Sequence, residues 1–154
     1  MGTIYLMQHG EAVAKDVDPD RPLTDDGRRD VERLCRLLRE RGLGADRVLH
    51  SGKTRARQSA ELVASAFGTP LCEAAGGLSP NDPVAPWSQR LGSESENVVV
   101  VGHLPFMARL ATLLLAGREE PPTVAFRPCG MVCLEADGGT WAVAWMIRPE
   151  LLGG

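Results

Sequence analysis

Four consecutive valines, Val98 to Val101, run into Gly102-His103-Leu104-Pro105. A continuous β-branched run of this kind marks a strand buried on both faces, which places it inside a parallel sheet covered by helices on either side. The neighbouring segments agree. Thr3–Met7 is a short apolar strand ending at Gln8-His9-Gly10, and Arg47–His50 is another, leading into Ser51-Gly52-Lys53-Thr54-Arg55. Between them, Val31, Leu34, Leu37 and Leu38 recur with helical spacing behind Thr24, an N-cap type followed by Asp25 and Asp26. Gly42 and Gly44 end that helix.

The Ala-rich stretch to Phe67 predicts a second helix, with Leu62, Val63, Ala66 and Phe67 as its apolar face. Pro70–Glu73 is a short strand, and a brief helix lies near Trp87–Leu91. Pro105 suits the first residue of a mostly apolar helix over 106–116. Thr123–Phe126, Met131–Ala136 and Trp141–Ile147 complete the chain, the last two joined by the hairpin signal Asp137-Gly138-Gly139. Strand and helix alternate, then a hairpin closes. The fold class is α/β: three layers, a mainly parallel central sheet and an antiparallel edge hairpin.

Length and composition narrow the function. At 154 residues, 44% hydrophobic and 24% charged, the chain is a single domain over 1–154, large enough to need no metal or disulfide staple. No apolar run approaches the ~18 residues of a membrane span, and the start lacks a basic leader, so no membrane is expected and a cytoplasmic location is. Cys35, Cys72, Cys129 and Cys133 have no CxxC spacing and read as reduced thiols. A pI near 5.6 argues against nucleic acid as a partner. Of 17 basic residues only Lys15 and Lys53 are lysine; the other 15 are arginine, some of which could grip a planar anion.

In open α/β sheets ligands bind at the carboxyl ends of the parallel strands. His9 and His103 both stand there, each beside a glycine that would let a substrate approach the backbone. His50 precedes its strand end and reads as a packed or surface residue. A metal site could draw on the histidines and the acid-rich 16–26 loop, but no HxH, HxxxH or HExxH spacing occurs, and no metal is expected. A GxSxG elbow, a P-loop and a GxGxxG fingerprint are absent.

Four blocks in order carry a resemblance: Leu6-Met7-Gln8-His9-Gly10-Glu11-Ala12, Asp20-Arg21-Pro22-Leu23-Thr24, Ser51-Gly52-Lys53-Thr54-Arg55-Ala56 and Val101-Gly102-His103-Leu104-Pro105. They resemble the histidine phosphatase superfamily, which also holds the phosphoglycerate mutases, and within it the short SixA-type phosphohistidine phosphatases. The resemblance spans about residues 3–148 and implies one histidine phosphatase domain. It also implies that His9 attacks phosphorus to form a covalent phosphohistidine, and that Arg21 and Arg55 hold phosphoryl oxygens. His103 would then bind the phosphoryl group and stabilise its charge, without cofactor or metal. The partner implied is a phosphohistidine-bearing signalling protein, such as a phosphotransfer domain; a monomer is expected.

Two points stay open. Larger members use an acidic proton donor; here Asp82, in Ser79-Pro80-Asn81-Asp82, and Glu73 are the candidates, with Lys53 and Arg57 either widening the positive field or lying on a helix surface. Position 8 is Gln where the family signature has Arg. Gln8 can still donate to a phosphoryl oxygen as a phosphate-binding group, but it lacks charge and the guanidinium fork. Without an adjacent cation, more of His9 should be protonated near neutrality. The alternatives are therefore a weakly active or inactive phosphohistidine-binding protein and a small-molecule phosphomonoesterase.

Overall fold

The computed structural model describes residues 2–152, and its elements follow the expected alternation. They are β1 (Thr3–Gln8), α1 (Asp25–Glu40), β2 (Arg47–His50), α2 (Thr54–Phe67), β3 (Leu71–Ala74), α3 (Ala85–Gly92), β4 (Val98–Gly102), α4 (Phe106–Ala116), β5 (Met131–Asp137) and β6 (Thr140–Ile147). One six-stranded sheet has the order β3-β2-β4-β1-β5-β6. β1, β2, β3 and β4 pair in parallel, while β5 is antiparallel to β1 and to β6.

The valine run sits where its composition demands. All of β4 is buried. Val98 and Val100 face a cluster with Trp87, Leu91, Phe106 and Leu110 of α3 and α4. Val99 and Val101 face the other way, onto Val31, Leu34, Ala60 and Val63 of α1 and α2. Alternate side chains thus feed two cores, which is why no polar position occurs in the run.

Local chemistry sets the ends. Thr24 caps α1, its Oγ1 accepting from the Gly27 N–H at 2.9 Å. Gly42 follows with φ +75°, a left-handed turn that stops the helix. Gly138 and Gly139 both have positive φ, the type I′ geometry that a two-residue hairpin requires.

Several expectations shift. β1 runs to Gln8, β4 to Gly102, and the third strand is Leu71–Ala74. Pro105 precedes the helix as its N-cap. Thr123–Phe126 forms no strand, since the Thr123 N–H bonds the Thr112 hydroxyl at 2.9 Å, although Val124 and Phe126 still reach the core. The buried face of α2 is Ala56, Ser59, Ala60, Val63 and Ala64. Small residues let this helix pack closely, leaving Leu62, Ala66 and Phe67 at the cluster's margin. The four cysteines are unpaired. No described helix is long and apolar enough to cross a membrane.

Candidate active site

Because β2, β4 and β1 are parallel neighbours, their carboxyl ends open on one edge. Gln8 lies in register with Gly102, so His9 and His103 emerge side by side, with ring centroids 5.1 Å apart. A cavity of about 410 Å³ opens between them. Gln8, His9, Arg21, Arg55 and His103 all line it, with Glu11 and an apolar rim of Ala12, Pro80, Leu104 and Pro128.

The backbone beneath His9 is fixed on two sides. Its N–H donates to the Gly102 carbonyl at 3.1 Å, and the Cys129 N–H donates to the carbonyls of Gln8 (3.1 Å) and His9 (3.0 Å). Cys129 takes φ +68° to do so. The ring is fixed too. His9 Nδ1 lies 2.7 Å from the Gly10 carbonyl, which can only accept, so Nδ1 carries the proton and Nε2 the lone pair. Arg55 Nε donates to that Nε2 at 3.3 Å.

Burial is the main electrostatic fact. It pulls His9 from 6.5 to about 4, helped by the charges of Arg55 and Arg21 and opposed by the Gly10 carbonyl. His103 is 2% exposed and is pulled to about 3, again by burial first and then by His9, Arg55, Lys53 and Arg21. Arg55 itself is lowered by burial and by Arg21. Two guanidiniums and two neutral imidazoles therefore share a pocket whose own field favours an anion. This corrects the expectation about Gln8: although position 8 is not arginine, His9 is held neutral by burial first and by the Arg55 and Arg21 charges.

Arg21 arrives on the long loop with φ +49°, a conformation that costs a residue other than glycine of the order of 1 kcal/mol. Its N–H bonds the Asp18 carbonyl at 3.0 Å and its Nε the Val13 carbonyl at 3.1 Å, leaving the guanidinium end for the cavity. His103 Nε2 is 2.6 Å from Ser51 Oγ, while His103 Nδ1 and Gln8 Oε1 are buried with no hydrogen-bond partner among the described residues. Lys53 adds to the field at His103; Arg57 pairs with Glu61 at 3.3 Å on the exposed side of α2.

Other candidates are placed elsewhere. Asp82 does not line the cavity: its Oδ2 accepts from the Ser79 N–H at 2.9 Å, holding its own turn. Glu73 is exposed on β3, also outside the cavity. The carboxylate that does line it is Glu11, whose Oε1 accepts from the Thr24 hydroxyl at 2.9 Å. Nothing in the sequence marked Glu11 beyond its place after His9-Gly10. His50 is 5% exposed and accepts the Gly52 N–H on Nδ1 at 3.0 Å, a packed histidine.

The two glycines beside the histidines make room for protein, not substrate. A Cβ at Gly10 would lie 3.0 Å from Val31 Cγ2, and one at Gly102 would lie 2.7 Å from Met107 Sδ. Gly27, in the first turn of α1, is tighter still: a Cβ there would stand 2.2 Å from the Glu11 carbonyl oxygen.

A family model described as the histidine phosphatase superfamily (branch 1) matches residues 4–76. The phosphohistidine phosphatase SixA of Escherichia coli K12 is 30% identical over 153 residues, covering 95% of this chain and 93% of that protein. An uncharacterized Picosynechococcus protein is 30% identical over 122 residues, covering 75% of this chain and 74% of its own. Among solved structures, protein histidine phosphatase SixA complexed with tungstate has a TM-score of 0.86 at 26% identity, covering 98% of this chain and 99% of that one. A phosphoserine phosphatase from Entamoeba histolytica, at 17% identity and TM-score 0.72, shares the fold.

Proposed function

Because the chain belongs to the histidine phosphatase superfamily, we propose that it is a phosphohistidine phosphatase acting through a covalent phospho-His9. The observation that carries this reading is the His9 Nε2 lone pair, held toward Arg55 in a cavity shared with Arg21 and His103.

The chemistry follows from the tautomer. His9 Nε2 attacks phosphorus in line with the P–N bond of the substrate, forming a new N–P bond as the old one breaks. The departing histidine takes back the electron pair and leaves as a neutral imidazole when its other nitrogen is protonated. One imidazole replaces another, so no strong general acid is needed, in keeping with Asp82 lying outside the cavity. The proton stays on His9 Nδ1, donated to the Gly10 carbonyl, and that hydrogen bond stabilises the cationic phosphoimidazole. Arg21, Arg55 and His103, with Gln8 as a neutral donor, hold the phosphoryl oxygens as charge develops. Water then attacks phospho-His9 on phosphorus and releases phosphate, restoring the lone pair. Positioning and positive charge do this work, so the reading calls for no metal ion.

The substrate in this reading is a phosphohistidine displayed on another protein, such as a phosphotransfer domain. The rim of Ala12, Pro80, Leu104 and Pro128 supports it, with Leu104 38% exposed beside the cavity. Four unpaired thiols fit a cytoplasmic setting. The test is incubation with a phosphohistidine-bearing protein. Phosphate release with an acid-labile adduct on His9, both lost in His9→Ala, is expected. Stoichiometric binding without release would replace the enzyme with a phosphohistidine-binding protein.

A further inference from the structure

The helix that carries Arg55 also holds two of the other segments that reach the cavity, through two adjacent side chains. Ser59 has no exposed surface. Its hydroxyl donates to the Arg55 carbonyl at 2.8 Å and accepts from the Gly10 N–H at 2.9 Å. Gly10 is the residue whose carbonyl fixes the His9 ring at 2.7 Å. One oxygen therefore joins the main chain of Arg55 to the residue that orients His9. Beside it, Gln58 Oε1 accepts from the Leu23 N–H at 2.8 Å, two residues beyond Arg21. Side chains of α2, rather than sheet ladders, hold both amides.

We infer that Ser59 and Gln58 are positioning residues with separate tasks: Ser59 sets the His9 ring through Gly10, and Gln58 sets the place of Arg21 through Leu23. The inference rests on reading His9 as nucleophile and Arg21 as phosphate ligand. In-line attack tolerates little error, since a displacement of about 1 Å can cost ~10²-fold in rate. Loss of Ser59 thus acts on the chemical step, and loss of Gln58 on anion binding.

Four variants test this, each checked for an intact fold by thermal unfolding: Ser59→Ala, Ser59→Thr, Gln58→Ala and Gln58→Glu. Ser59→Ala is expected to lower kcat by roughly 10- to 100-fold with KM little changed. It should also move the His9 ring ¹⁵N resonances away from a fixed Nδ1–H tautomer. Ser59→Thr, which keeps the hydroxyl, should restore both. Gln58→Ala should weaken binding of inorganic phosphate and raise KM by about 10-fold while leaving the His9 resonances unchanged, and Gln58→Glu should recover the binding. Unchanged His9 resonances and kcat in Ser59→Ala, or the same kcat and KM change in both alanine variants, would overturn the inference. The ring resonances and phosphate affinity need no turnover. A protein that releases no phosphate would therefore sink the phosphatase reading, while these two measurements still decide this one.

Discussion

Arg55 Nε directs its hydrogen at the Nε2 lone pair of His9 across 3.3 Å. The contact joins a cation to the atom that would attack phosphorus, and it opposes protonation of that atom. Arg55→Ala removes a charged hydrogen-bond donor worth about 1.5–3 kcal/mol to a phosphoryl oxygen. In the transition state this is about 10- to 150-fold in rate. Arg55→Lys should recover only part of it, because an ammonium lacks the planar fork. Phosphate-release kinetics on both variants check this; wild-type rates in Arg55→Ala would remove Arg55 from the mechanism.

Acid should attack stability before it attacks the nucleophile. His9 and His103 have native pKa values near 4 and 3, below the ordinary 6.5. Below pH 6.5 the unfolded chain gains protons that the native protein does not bind. Stability therefore falls as pH falls, by about 1.4 kcal/mol per pH unit for each histidine, until the His9 contribution ends near 4. Urea melts between pH 7.5 and 4.5 should show the slope, and His9→Gln should reduce it. The acidic limb of kcat/KM should accordingly lie near pH 4 rather than 6.5.

Replacing Gln8 with arginine should strengthen phosphate binding and raise kcat, by up to about 10- to 150-fold for one added charged donor. It should push the onset of His9 protonation lower still, which changes nothing near neutrality because burial already keeps the ring neutral there. Kinetics paired with a ¹⁵N titration of His9 separate the two effects. A Gln8→Arg variant no faster than the parent would mean that Arg21 and Arg55 suffice.

Asp82→Asn is expected to leave phosphate release within about two-fold of the parent, because the carboxylate serves the Ser79 N–H and not the cavity. A small fall in thermal stability should be its main effect. A large loss of kcat with an unchanged melting curve would return Asp82 to the list of proton donors.

Gly27→Ala should be among the more damaging single-methyl changes. The new Cβ would meet the Glu11 carbonyl at 2.2 Å, which is backbone and cannot rotate aside. Overpacking of this kind costs about 1–3 kcal/mol, and here the displaced chain follows directly on His9-Gly10. Chemical denaturation and activity should fall together; a variant as stable as the parent would contradict the close approach.

The fold was legible wherever a pattern repeats within a few residues. The valine run, Thr24 with its two aspartates, and the Asp137-Gly138-Gly139 turn each state their structure locally, and each forms as expected. Thr123–Phe126 misled because its amide is claimed by a hydroxyl eleven residues away. The face of α2 misled because alanines bury by closeness, which hydrophobicity does not report. At the site, residue order was enough to bring His9, Arg21, Arg55 and His103 into one cavity. It could not show that Asp82 turns inward on its own loop while Glu11 lines the pocket.

By itself the sequence determined the layered α/β architecture, the sheet edge at which the candidate residues gather, and which of them meet there, because periodicity, caps and strand ends act over short separations. Only the tertiary structure decided their states. The Nδ1 proton of His9 rests against its neighbour Gly10, but the lone pair facing Arg55 needs a group 46 residues away, and the neutrality of both imidazoles comes from the exclusion of water. The purpose of Gly10 and Gly102, which clear space for Val31 and Met107, is tertiary as well. Desolvation and close packing belong to the assembled molecule, and no window of sequence contains them.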